Sequence, residues 1–138
     1  MRDAVEEPNK LNWTAHIFTI LESIEIAKIA AQTAHEVKAE NVLLLDVREL
    51  TTVCDYFVVA SAPTRIQTKD IAKKMEDALS DAGVKRIRIQ GREDASWILI
   101  DYGMVVLHVF LTQEREFYDL EGRWSEAKIL FDSNTLSV

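Results

Sequence analysis

Apolar residues recur at helical spacing from the twentieth position onward. Ile20, Ile24, Ala27, Ala31, Ala34 and Val37 lie along one stripe, and Glu22, Glu25, Lys28 and Glu36 take other positions. The spacing predicts an amphipathic helix over 20–38. The apolar runs at 42–47 and 56–60 read as buried strands, with 51–55 between them. Ser61-Ala62-Pro63-Thr64 then punctuates the chain. The proline disfavours helical geometry at Ala62, and Thr64 is placed to cap a helix beginning at the next residue. Ile71, Met75, Leu79 and Ala82 predict a second amphipathic helix over 65–82, and Gly83 sits where a left-handed C-terminal cap is wanted. Arg86-Ile87-Arg88-Ile89 alternates with period two, the pattern of a half-exposed strand.

Residues 97–111 hold two strand-like runs around Asp101-Tyr102-Gly103-Met104, where Gly103 suits a tight turn. Pairing Asp101 with Met104 sets Leu99 opposite Val106 and Trp97 opposite His108. Strand parity then gives one aliphatic face of Ile98, Ile100, Val105, Leu107, Val109 and Leu111, with Tyr102 at its end. The other face carries Trp97, Leu99, Asp101, Met104, Val106, His108 and Phe110. The aliphatic face belongs under the helices. The mixed face holds groups that a fully packed face avoids, so it is expected to leave Trp97 free for a partner. On that reading Trp97→Ala opens no internal cavity.

Further on, Thr112 is placed to cap a short helix with Glu114 and Glu116 in its first turn. Phe117, Leu120 and Trp124 share one face of it, and for Phe117 and Trp124 core packing is the favoured reading. Residues 1–19 mix charge, Pro8 and scattered aromatics and are expected to form a flexible tail. The polar stretch 132–138 is expected to fray. No internal repeat or low-complexity block interrupts the chain. The predicted fold is α/β: a single domain over 20–131 with a mixed β-sheet and amphipathic helices, ordered helix, two strands, helix, three strands, helix.

A chain of 138 residues can bury a core without disulfides or metal. Its net charge of −7 argues against a non-specific grip on phosphates, so little direct nucleic-acid binding is expected. The same charge suits a basic protein partner. Lys85, Arg86, Arg88 and Arg92 cluster locally and read as a solvated strand face. Cys54 is the only cysteine, which excludes an intrachain disulfide, and its apolar setting reads as core. The first ten residues resemble neither a signal nor a transit peptide, and no apolar run reaches membrane-spanning length, so a cytoplasmic, non-membrane protein is expected.

Catalytic chemistry finds no assembled set. His16, His35 and His108 are not at metal-ligand spacing from one another or from Cys54. His108 could move a proton, although a structural or contact role is the better reading. The four glycines form no phosphate loop. Asp46 and Asp55 are not an Asp-x-Asp pair and suit turn or cap duty. No enzyme, metal or cofactor is expected.

Four blocks carry a likeness. Asp55-Tyr56-Phe57-Val58-Val59-Ala60-Ser61, Trp97-Ile98-Leu99-Ile100-Asp101-Tyr102-Gly103, Val105-Val106-Leu107-His108-Val109-Phe110, and Arg115-Glu116-Phe117-Tyr118-Asp119-Leu120-Glu121 with Trp124 resemble the ribosomal silencing factor family RsfS, also called Iojap. The likeness runs from about residue 23 to about 131. It implies a nucleotidyltransferase-like topology without that enzyme's machinery. It also implies binding to the large ribosomal subunit through ribosomal protein fourteen, which blocks subunit joining and represses translation. A homodimer is a further possibility that the resemblance implies. Trp97, Asp101, Tyr102 and His108 fall in the family's hairpin motif, and Arg115 and Tyr118 in its C-terminal one. With Phe110 they make the expected partner-binding set. A role in large-subunit assembly, as in organelle relatives, and a nucleotidyltransferase-like activity are the alternatives. Three departures stand out: Ser61-Ala62-Pro63-Thr64 in place of a Ser-Gly-Thr-Ser type loop, Met104 where an acid is common, and Gly122 inside the last helix.

Overall fold

The structure, a computed structural model, describes residues 21–135. The expected tail at 1–19 and the last three residues of the expected C-terminal fray lie outside them.

Helix α1 (Ser23–Glu36) opens on a capping box in which the Glu25 carboxylate accepts the Glu22 N–H at 3.0 Å. Its buried stripe is Ala27, Ala30, Ala31 and Ala34, small side chains that let the helix lie close to its neighbours. Helix α2 (Arg65–Asp81) is capped as its sequence predicts, with the Thr64 hydroxyl accepting from Gln67 N at 3.2 Å. It buries Thr68, Ile71, Ala72, Met75 and Leu79 and ends in a Schellman turn. Val84 N bonds to Leu79 O, Gly83 N bonds to Ser80 O, and Gly83 takes a φ of +87°.

Six strands form one mixed sheet: β1 (Glu40–Asp46), β2 (Tyr56–Ala62), β3 (Arg88–Gln90), β4 (Trp97–Asp101), β5 (Val105–Leu111) and β6 (Lys128–Asp132), in the order β3-β4-β5-β2-β1-β6. Only the central β2–β5 pair is parallel. Both helices cover one face. Beneath them lies a core containing Val42, Leu44, Val58, Ile98, Ile100, Leu107 and Val109. The aliphatic side of the hairpin therefore packs where strand parity put it.

The hairpin register differs from the expected one. Trp97 pairs with Phe110, Leu99 with His108 and Asp101 with Val106. The connection is the three residues Tyr102, Gly103 and Met104, with Gly103 at a φ of +88° and Tyr102 N bonded to Val105 O at 2.9 Å. Each partner has slid by two residues. A slide of two preserves side-chain parity, so the faces survive the error.

Other boundaries also move. Strand β2 runs through Ser61 and Ala62, because these continue the parallel ladder opposite Phe110 and Leu111. The C-terminal stretch is not frayed as far as it is described. Lys128–Asp132 is an edge strand antiparallel to β1, and Ser133–Thr135 forms a 3-10 turn whose Ser133 Oγ accepts from Val42 N at 2.9 Å. Its exposed Lys128, Ile129 and Leu130 lack the alternation that marks a strand in sequence.

Leu111, not Thr112, occupies the cap position of α3 (Thr112–Tyr118), and the Thr112 hydroxyl instead donates to Glu40 Oε1 at 2.9 Å. Asp119 then adopts a φ of +49°, ends α3 and caps α4 (Leu120–Arg123) by accepting from Gly122 N at 3.2 Å. A Cβ at position 122 would lie 2.1 Å from Asp119 Oδ2, so the glycine there serves the cap. The break also undoes the expected shared face of Phe117, Leu120 and Trp124. Leu120 is buried, whereas Phe117 is 79% exposed.

Candidate functional site

The sheet face opposite α1 and α2 carries a second, aromatic core. Phe57 on β2, Trp97 on β4, and His108 and Phe110 on β5 point to this side, and α3 and α4 fold back across part of it. Tyr118 and Leu120 on those helices, and Trp124 just after α4, join Leu43, Leu45, Val59 and Phe110 in one cluster. The rings run in a connected series. Trp97 stacks on Phe110 at 4.8 Å and meets Tyr118 at 4.6 Å, and Tyr118 meets Phe117 edge to face at 5.3 Å. Phe57 stands edge to face with both His108 and Trp124 at 5.0 Å. One end of the series is buried, and the other, Phe117, stands in solvent.

The Trp97 indole N–H donates to His108 Nδ1 at 3.1 Å, which leaves the proton of the neutral imidazole on Nε2. That Nε2 is buried without a hydrogen-bond partner among the described residues. Burial pushes the His108 pKa down to about 4, so the ring is neutral near pH 7.

This arrangement corrects the outward-facing reading of the mixed face. Phe110 is 0% exposed and His108 only 4%, so neither offers surface to a partner. Trp97 is half-buried, and truncating it would open a gap against Phe110 and Tyr118. The cause is the return of α3 and α4 over the face, which strand parity cannot foresee. Leu99 and Val106, beside Trp97 on the same face, stay half-exposed.

The seven expected site residues therefore separate. Trp97, His108, Phe110 and Tyr118 come together. Asp101 ends β4, where its carboxylate accepts from Gly103 N at 2.7 Å and from Arg88 Nε at 3.2 Å, holding the turn. Tyr102 lies on the other side of the sheet, against the helix-covered core, and burial foremost pushes its pKa up to about 12. Arg115 is buried beneath α3. Its guanidinium donates to Ser61 Oγ at 3.0 Å, to Glu40 O at 3.3 Å and to Glu121 Oε2 at 3.0 Å, tying α3 to the ends of β1 and β2. It supports the site from within and does not face outward.

Phe117 is the residue that sequence reasoning misplaced. The signal that could have found it is Asp119 three positions before Gly122, an N-cap signature that restarts the helix and turns Phe117 away. Elsewhere, Asp46 accepts from Arg48 N at 3.0 Å, the turn duty that suits it. The Asp55 carboxylate instead accepts from Ser23 Oγ at 2.7 Å and ties the start of α1 to the loop before β2, rather than capping or turning the chain. Burial raises the Cys54 pKa, as befits a core thiol. Among the described residues no group of His, Cys, Asp and Glu is arranged to hold a metal, and no helix is long and apolar enough to cross a membrane.

Residues 20–137 match the profile of the family described as ribosomal silencing factor during starvation. The chain belongs to that family. The ribosomal silencing factor RsfS of Bacillus subtilis is 36% identical over 104 residues, covering 75% of this chain and 88% of that protein. A crystal structure of a Chromobacterium violaceum protein superposes with a TM-score of 0.74 at 33% identity, over 76% of this chain and 88% of that one. A mouse protein named mitochondrial assembly of ribosomal large subunit protein 1 is 27% identical over 90 residues, 63% of this chain and 40% of its own length. The α/β mixed-sheet fold and the RsfS likeness of the four sequence blocks both stand.

Proposed function

We propose that this chain docks onto the large ribosomal subunit through ribosomal protein fourteen, blocks subunit joining by its bulk and so lowers translation in the cytoplasm. Membership of the silencing-factor family carries the reading. The surface that best suits docking is the exposed end of the aromatic series, Phe117, with half-buried Tyr118 and Trp97 behind it and Leu99 and Val106 alongside. A solvent-exposed Phe backed by packed rings is an anchor already held in place, so little side-chain entropy is lost on binding. Exposed Glu116 next to Phe117, and the net charge of −7, suit a basic partner protein. His108, Phe110 and Arg115 act here by holding that surface in shape. No bond is made or broken in this role.

The experiment is sedimentation with purified subunits. The protein should travel with large subunits and not small ones, and should reduce their joining. Phe117→Ala should leave the thermal melt within about 0.5 kcal/mol of wild type, as a surface substitution does, and weaken large-subunit binding at least tenfold. Wild-type binding by a folded Phe117→Ala protein would remove this surface from the interface. A second copy of the chain is a competing occupant of the same face, and sedimentation equilibrium of the free protein reads it out.

The name of the mouse relative favours a second reading, in which docking on the same subunit serves assembly. Depleting the protein from growing cells separates the two. Silencing predicts normal subunits that join too freely when nutrients fall, and assembly predicts incomplete large subunits during growth.

A further inference from the structure

On the helix-covered side of β3 lies a charged cleft that the docking surface does not use. We propose that it binds a backbone phosphate of RNA lying beside the docked ribosomal protein, an inference that rests on the large-subunit reading. The cleft has a volume of about 540 Å³ and is lined by Lys73, Lys85, Arg86 and Arg92 against Glu76 and Asp77. Four cations and two anions make it locally positive in a chain whose net charge is −7.

Glu76 organises the cations. Its two carboxylate oxygens accept separately, Oε2 from Arg86 Nη1 and Oε1 from Arg92 Nη2, and its side chain is only 14% exposed. One carboxylate thus fixes two guanidiniums from opposite ends of β3 side by side. Each guanidinium has five N–H donors and uses one on Glu76, so the rest remain for a ligand. Planar forks held in place suit the tetrahedral oxygens of a phosphate, and their ordering cost is already met by folding. Lys85 has no ion-pair partner among the described residues. Lys73 has Asp77 at 3.2 Å, an exposed pair that contributes little and can be exchanged.

The surroundings favour backbone over base. Tyr102, the aromatic ring in the lining, is half-buried against the core and is not set out as a platform for stacking. A site of fixed cations without a stacking surface positions phosphate and reads no sequence. The cleft lies at the β3 edge of the sheet, and the next strand in, β4, carries Leu99 of the docking face on its opposite side.

The test uses the whole chain and a fluorescently labelled A-form RNA duplex without ribosomal protein, followed by anisotropy across a salt series. Wild type is expected to bind at low salt. The Arg86→Ala/Arg92→Ala double variant should bind at least tenfold more weakly, with a salt dependence shallower by about two counterions. Lys85→Ala, exposed and unpaired, guards against misfolding of the double variant and should weaken binding severalfold with an unchanged melt. Phe117→Ala should bind RNA like wild type, which separates this proposal from the docking surface. Absence of RNA binding at low salt, or equal binding by the folded Arg86 and Arg92 variant, would overturn it. So would saturable binding of a free nucleoside triphosphate that the RNA duplex cannot displace.

Discussion

Trp97→Ala should lower the stability of this protein by about 3 kcal/mol, within the range of large aromatic truncations in a packed core. The strand pattern alone argues the opposite, because it sets Trp97 on the face turned from the helices. In the structure that face is covered where Trp97 sits. Truncation removes the ring stacked on Phe110 and the ring against Tyr118. It also removes the N–H that donates to His108 Nδ1, leaving both nitrogens of a buried imidazole without partners. An orphaned buried acceptor alone costs about 1–3 kcal/mol. Trp97→Phe keeps a ring in the stack and loses only the donor, so about 1–2 kcal/mol is expected. Leu107→Ala, in the helix-covered core, should cost about 2–5 kcal/mol and serves as the reference for an internal cavity. Urea titrations read all three. A Trp97→Ala protein that unfolds at the wild-type midpoint would show that the aromatic side is not a core. Subunit binding by Trp97→Ala has meaning only under conditions where it is folded, which makes Phe117→Ala the cleaner probe of the interface.

Acid should destabilise the protein through His108. The folded chain holds this imidazole neutral down to about pH 4 because its burial opposes the charge, whereas in the unfolded chain it takes a proton near pH 6.5. As pH falls below 6.5 the unfolded state binds a proton that the folded state refuses, so stability falls. The loss develops between about pH 6.5 and 4 and levels off below, once both states are protonated. That gap corresponds to about 3 kcal/mol. His108→Gln keeps an acceptor for the Trp97 N–H and cannot titrate, so it should lack this component. Subtracting the two stability curves isolates it from the general effect of the carboxylates. Parallel curves for the two proteins between pH 7 and 4 would mean that His108 is not excluded from water.

Much of the molecule was legible along the chain. The stripes of α1 and α2, the Thr64 cap, the Gly83 turn and the two faces of the β4–β5 hairpin all arise from local rules, since periodicity, capping and parity act over a few residues. The hairpin register was misplaced by two without harm, because parity returns every second residue. The likeness carried by the four blocks was also readable and is shown by the family match. What local rules could not reach is the path of the chain after Leu111. Asp119 in a left-handed conformation breaks the last helix, exposes Phe117 and returns Leu120 and Trp124 to the sheet. The edge strand Lys128–Asp132 forms because β1 offers it unpaired backbone groups, not because its own pattern demands a strand.

The site divides along the same line. Its residue types were evident from sequence, and their exposure was not. Trp97, His108 and Phe110 share a strand face by parity, which the sequence alone determines. Whether that face meets water, a partner or the protein's own helices depends on where a distant segment lands. That landing is decided by burial summed over residues from β2, β4, β5, α3 and α4 together. No stretch of sequence contains that sum, and only the tertiary structure could make Phe110 and His108 interior and leave Phe117 outside.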